Sequence, residues 1–219
     1  MKRVLVLRFL LILTGVVSFF LAVDGADAQV RPSASAARPT PKESVLRIRR
    51  MPRSGRAAMV RTPEFQTNMG RSTRNRKPLE WALFEIEYET EPKWLDTLDF
   101  TYSVMTRKQG ADGKDAYNLF QLRVTYIDIQ AGDHTSCVIL APNTLARFGE
   151  PVAIAVEVYQ GETLLDSRSE VSDKKLPDAD WWKDPRIVDS PIVTRREGLL
   201  ERSKTPFALI NMDDYEVVK

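Results

Sequence analysis

The strongest constraint in this sequence is a two-residue periodicity between Trp81 and Met105. Ala82, Phe84, Ile86 and Tyr88 alternate with Leu83, Glu85, Glu87 and Glu89; Leu98, Phe100, Tyr102 and Val104 then alternate with Asp99, Thr101, Ser103 and Met105. Side chains on a strand point alternately to opposite faces, so each run predicts one apolar and one largely wetted face. The two runs read as neighbouring strands joined by a turn at Thr90–Trp94. Burying a large apolar residue contributes roughly 1.5–3 kcal/mol, before the entropy of ordering is subtracted. The four in the second run are therefore enough to seed a sheet-on-sheet core.

The pattern recurs downstream. Phe120, Leu122, Val124 and Tyr126 share a face within a run from Tyr117 to Gln130. Ile127 and Ile129 fall on the other face, which calls for a bulge or for burial on both sides. Gly110–Gly113 has hairpin-loop chemistry, and Ala131–His134 reads as a turn into a strand over Thr135–Leu140. Pro142–Phe148 fits a helical turn ended by Gly149. Val152, Ile154, Val156 and Val158 mark a strand over Pro151–Gln160, which Gly161–Glu162 turns into a second hairpin over Thr163–Glu170. Leu176–Asp184 is too polar for a strand and reads as a short helix with Trp181 or Trp182 beneath it. Ile187–Thr194 reads as extended, Gly198–Lys204 as either a helical turn or a strand, and Phe207–Asn211 as a closing strand. Upstream, Val45–Met51 and Ala57–Thr62 are β-like pieces around a turn at Pro52–Gly55, and Glu64–Pro78 is a polar loop.

About seven to nine short strands with little helix predict an all-β, immunoglobulin-like antiparallel β-sandwich with one or two short helices, over residues 45–219. A closed barrel is the architectural alternative. The Cys–Trp–Cys spacing of antibody domains is absent, because Cys137 is the single cysteine. No internal disulfide can form, and Cys137 in its apolar run reads as a buried structural thiol.

The N-terminus reads as an export signal over residues 1–28. Lys2, Arg3 and Arg8 precede an almost unbroken apolar run from Phe9 to Val23, and Ala26-Asp27-Ala28 supplies small residues at the cleavage positions. The run is shorter than the roughly 20 residues of a bilayer span. A retained anchor, counted back to Val4 with Arg8 snorkelling, is the alternative. Residues 29–44, rich in Pro, Ala, Ser and Arg, form a flexible tether. This organisation places the protein in the periplasm, at the outer-membrane surface or outside the cell, with membrane contact only through the signal peptide.

A formal net charge of +2 hides a division of sign. Residues 31–78 carry 13 Lys and Arg against Glu43 and Glu64, a formal +11, whereas residues 79–219 carry 16 basic and 26 acidic residues, a formal −10. Clustered positive charge binds phosphates, but export and the lack of interleaved aromatics argue against nucleic acid. The basic stretch suits an acidic sandwich, its own or a neighbour's, or an anionic surface such as lipopolysaccharide or sulfated glycan, with a merely solvated tail as the third reading.

Reactive constellations are sparse. His134 and Cys137 lie three apart on a strand and so point to opposite faces, which breaks a nucleophile–base dyad. One histidine and one cysteine do not make a zinc site. There is no Gly-x-Ser-x-Gly elbow and no phosphate-cradling glycine loop. Asp112 with Asp115, and Asp178 with Asp180 and Asp184, bring carboxylates together without a full calcium-loop or glycosidase pattern. Glu85, Glu87 and Glu89 form either a solvated face or a docking surface for a basic partner. No catalytic, cofactor-binding or metal-binding residue is assigned, and no cofactor is expected.

The signal peptide, the Arg-rich tether, the Trp- and Tyr-bearing strands and the run Arg202-Ser203-Lys204-Thr205-Pro206-Phe207-Ala208-Leu209-Ile210-Asn211 together resemble a group of exported proteins. These are the immunoglobulin-like proteins encoded in the type IV pilus-related cluster of mucin-degrading gut bacteria. The resemblance covers roughly residues 45–219 and implies a role in pilus-type assembly and host contact, without carrying over any functional residue. A true pilin is expected to keep a long N-terminal apolar helix after a short basic leader, so the expected loss of residues 1–28 and the tether after them favour an accessory role. The expectation is a non-enzymatic structural or interaction protein of the cell envelope, acting with protein partners or as a homo-oligomer. A carbohydrate-binding module using exposed Trp81, Trp94, Trp181 or Trp182 is the alternative, and a hydrolase using loop carboxylates comes third.

Overall fold

A computed structural model describes residues 45–63, 78–91, 93–110, 112–177, 179–210 and 217–218. The signal peptide and tether read over residues 1–44, and most of the loop at 64–78, lie outside the described residues. In chain order the strands are β1 (Leu46–Arg50), β2 (Met59–Arg61), β3 (Glu80–Thr90), β4 (Leu95–Gln109), β5 (Asp115–Ile129) and β6 (Gly132–Leu140). Helix α1 (Pro142–Phe148) precedes β7 (Glu150–Gln160) and β8 (Thr163–Val171). Helix α2 (Pro185–Val188), β9 (Val193–Arg196), β10 (Leu199–Glu201) and β11 (Val217–Val218) follow.

These strands form two sheets packed as an immunoglobulin-like sandwich. The five-stranded sheet runs β1-β3-β6-β10, with β2 also paired to β3; the six-stranded sheet runs β11-β5-β4-β7-β8, with β9 paired to β5. The pairings are antiparallel except that of β9, which runs parallel to β5. The predicted apolar faces supply the interior: Phe84, Ile86, Tyr88, Leu98, Phe100, Tyr102, Val104, Ile154, Val156 and Val158 are all fully buried in one cluster. A chain of hydroxyls crosses that interior. Ser136 Oγ on β6 donates to the Tyr126 hydroxyl at 2.7 Å and shares a 2.5 Å hydrogen bond with Tyr102. Burial raises both tyrosine pKa values, so these hydroxyls stay protonated.

Several expectations need correction. β3 and β4 are not hydrogen-bonded neighbours, because the link between them passes from one sheet to the other. Their apolar faces meet across the core instead, with the Tyr88 and Phe100 ring centroids 4.9 Å apart. Each face thereby buries the other, whereas side-by-side pairing would leave both to be covered by something else. The second face of β4 is not wetted either: Met105, Ser103 and Asp99 are all buried. A further layer formed by residues 172–193 lies over it, and Asp99 takes hydrogen bonds from Arg123 (2.8 Å) and Thr125 (2.5 Å).

The parity change in β5 occurs without a register shift, since Leu95 still opposes Ile129 as Leu98 opposes Tyr126. Asp128 takes a left-handed conformation (φ 56°) and returns Ile129 to the core. A true register shift lies between β4 and β7 at Met105/Thr106. It turns Val152 away from Ile154, Val156 and Val158 to the outer face of the sheet. Helix α1 and its stop stand as expected. Gly149 has φ 90°, and a Cβ there would sit 2.1 Å from the Arg107 carbonyl oxygen, so only glycine fits.

The helix expected over Leu176–Asp184 begins later. Asp184 is the N-cap, accepting from the Arg186 N–H at 2.9 Å, and Pro185 opens α2. Ile187–Thr194 is accordingly helical at its start and becomes strand from Val193. Gly198–Lys204 divides into β10 and a 3-10 turn. Phe207–Leu209 belongs to a 3-10 turn, Pro206–Leu209, rather than a closing strand. Thr205 caps it by accepting the Phe207 N–H, and Pro206 has no donor to offer a ladder. Asn211 lies outside the described residues.

Candidate functional site

The structure keeps the sequence candidates apart. His134 packs against the Tyr88 ring (5.2 Å), and its Nε2 lies 2.8 Å from the Gln130 carbonyl and 3.1 Å from Thr90 Oγ1. Cys137 sits opposite Glu85 in the register and is buried, which pushes its thiol up to about 12. A thiol so far above neutral pH supplies almost no thiolate.

The four tryptophans have different settings. Trp81 is half-buried: its Nε1 donates to Thr62 Oγ1 at 2.9 Å and its ring meets Phe207 edge-on at 5.8 Å. Trp181 and Trp182 are buried against each other on the outer face of the six-stranded sheet. Trp94 alone among the four is largely exposed, at 62%.

The carboxylates serve local structure. Asp112 accepts the Lys114 N–H within its own loop, and Asp115 pairs with Lys175 at 2.5 Å. Asp184 caps α2 and holds Arg186, Asp180 lies 3.9 Å from Lys183, and Asp178 is outside the described residues. Glu87 and Glu89 pair with Arg50 and Arg49 of the adjacent β1, so part of the basic stretch lies along the acidic face of β3. Among the described residues no group of three or more His, Cys, Asp or Glu is gathered as a metal ion would require.

What folding does assemble is a cleft of about 510 Å³ between the β4–β5 hairpin and the covering segment. Its apolar lining comes from Tyr117, Leu176, Ile187, Ile192 and Val193, and Lys114, Lys175 and Arg186 stand around it. Ile192 is 56% exposed at its margin.

The wall is fixed by Asp173. One carboxylate oxygen accepts from Arg107 (3.0 Å) and the Tyr117 hydroxyl (2.9 Å), and the other accepts the Lys175 backbone N–H (3.0 Å). Burial alone would raise the pKa of Asp173, but these three donors outweigh it and hold the carboxyl below its ordinary value. Burial and the hydrogen bond to Asp173 raise the Tyr117 phenol. A carboxylate held this way is a weak base. Sequence reading missed this cleft because Arg107, Tyr117 and Asp173 come from three separate segments. Asp173 stands in a polar stretch whose burial no local periodicity signals.

Three comparisons bear on the fold. A protein-family model matches residues 53–219. A crystal structure from Akkermansia muciniphila superposes with a TM-score of 0.61 at 21% identity, covering 80% of this chain and 92% of that one. No curated protein matches the sequence.

Proposed function

The chain belongs to the family whose model spans residues 53–219, and from that footing we propose that it is an exported, non-enzymatic interaction protein of the cell envelope, accessory to pilus-type assembly. The observation that carries the interaction reading is the cleft over Tyr117, Leu176, Ile187 and Ile192, an open apolar surface on walls fixed by Asp173. Such a surface suits a protein segment that lays apolar side chains into the trough and polar ones against its charged margin. The basic leader before the cleavage site and the alanines at it support export. Protein partners of the envelope, or a second copy of the chain, are the occupants this reading expects.

The test places a photo-crosslinking residue at position 192 and fractionates cells producing the tagged chain. The reading expects a mature N-terminus near residue 29 by mass, recovery from the envelope or medium, and a discrete crosslinked protein adduct. An uncleaved cytoplasmic chain that gives no adduct overturns it.

Trp94 supports a second reading as a sugar-binding platform, because its ring is mostly exposed while the other three are engaged. Titrating intrinsic fluorescence with mucin glycans separates the two. A saturable shift that disappears in Trp94→Ala favours sugar binding, and an unmoved spectrum removes it.

A further inference from the structure

Most cations near the hairpin end of the six-stranded sheet have a carboxylate: Arg107 has Asp173, Lys175 has Asp115, Arg186 has Asp184 and Arg195 has Asp189. Three cations around Phe148 break that pattern. The Arg147 guanidinium lies 5.0 Å from the Phe148 ring centroid, and the Arg196 guanidinium lies 5.1 Å from the same centroid. Lys108 Nζ donates to the carbonyls of Ala146 and Arg147, both at 2.9 Å. Among the described residues none of the three is within ion-pairing distance of a carboxylate. All three are exposed, and Glu150 and Glu197 follow closely in sequence without pairing to them.

These side chains are anchored. Arg196 Nε donates to Asn118 Oδ1 at 3.2 Å, which leaves its terminal N–H groups free of described partners. The Phe148 ring packs edge-on to Phe120 at 5.7 Å, and the Phe148 carbonyl accepts from Thr106 Oγ1 at 2.8 Å and from Asn118 Nδ2 at 3.5 Å. The ring is therefore a fixed post that holds both guanidiniums by cation–π attraction. Three positive charges gathered around one ring without a carboxylate favour a bound anion.

We propose that Lys108, Arg147 and Arg196 form a binding site for a tetrahedral oxyanion, a sulfate or phosphate monoester. Donors arriving from three elements, β4, α1 and β9, suit an anion with three or four oxygens better than a planar carboxylate. The guanidiniums offer forked N–H pairs and the ammonium a point charge. The site is separate from the cleft over Ile192, so it stands or falls on its own.

The experiment follows the Arg Nε–Hε resonances of the purified protein while sulfate, phenyl sulfate, phenyl phosphate, acetate or chloride is added at constant ionic strength. Saturable shifts at Arg147 and Arg196 with sulfate or either ester are expected, with acetate and chloride at least about tenfold weaker. The stronger of the two ester arms identifies the source chemistry. Arg147→Gln and Lys108→Gln should each weaken binding by about tenfold, the effect of losing one charge-assisted contact, whereas Arg168→Gln on β8 should leave it unchanged. Arg147 and Lys108 are exposed, and unchanged β5 amide shifts confirm that the variants fold. Linear shifts, equal response to chloride or acetate, or full binding in both variants overturns the proposal.

Discussion

The two faces of the six-stranded sheet are both buried, but by different means. The inner face meets a second sheet through alternating apolar residues of β3 to β7, and its contacts are backed by long hydrogen-bonded ladders. The outer face is covered by turns and a four-residue helix that bring Trp181, Trp182 and Val188 onto Met105, Tyr117, Leu119, Val152, Ala153 and Ala155. The inner interface is cooperative, because every strand in it supports its neighbours. The cover is held by two large rings, by the hydrogen bonds of Asp173 and by the Lys183–Glu157 pair, and most of its backbone hydrogen bonds are local to the segment. The candidate docking cleft lies at the edge of this weaker layer, where low local stability and binding are often found together.

The sharpest contrast should come from truncating one ring in each layer. Phe100→Ala in the inner core should cost about 3–5 kcal/mol and lower the whole denaturation curve. Trp181→Ala should cost less overall. A similar loss of burial is offset by about 1–3 kcal/mol, because the indole N–H, buried without a described partner, is removed with the ring. Its effect should be confined to residues 173–196, seen as faster amide exchange there with the β4–β5 ladder intact. Trp181→Phe, which keeps a ring and removes the N–H, should change stability by less than about 1 kcal/mol. Equal and global losses for Phe100→Ala and Trp181→Ala would erase the distinction between layers.

Asp173→Asn should cost about 1.5–3 kcal/mol at neutral pH, since charge-assisted hydrogen bonds from Arg107 and Tyr117 are weakened. The folded carboxyl has a depressed pKa, so its contribution is complete above the unfolded value of about 3.9 and is lost as pH falls through the lower folded value. Urea midpoints of parent and variant should therefore converge below about pH 4. A constant gap down to pH 2 would contradict this.

The smallest effect belongs to the strand edge. Arg50 and Glu87 are 73% and 46% exposed, so a double-mutant cycle should return no more than about 1 kcal/mol, falling further in salt.

The inner layer was legible in the sequence because period-two alternation is a local signal, and Phe84, Tyr88, Phe100 and Val156 all obey it. The sheet assignment of β3 and β4 was not, since one alternation pattern serves a hairpin and two strands facing each other equally well. The outer layer was nearly silent. Ser103, Asp99 and Asn118 are polar yet buried, and what buries or pairs them arrives from distant segments or neighbouring strands. The oxyanion site was equally hidden: Lys108, Arg147 and Arg196 are ordinary surface cations until the fold sets them around one ring. Burial of Trp181 or Trp182 beneath a short element was readable, but not which sheet face that element covers. Of the four tryptophans, Trp94 alone is largely exposed.

Native-state hydrogen exchange across both layers tests the central claim most directly. Amides of Trp182–Ser190 should open at a free energy clearly below that of the β3–β6 and β4–β5 ladders, and a segment seated in the cleft should slow them. If every one of these amides opens together with the ladders, in a single global event, the separable cover does not exist.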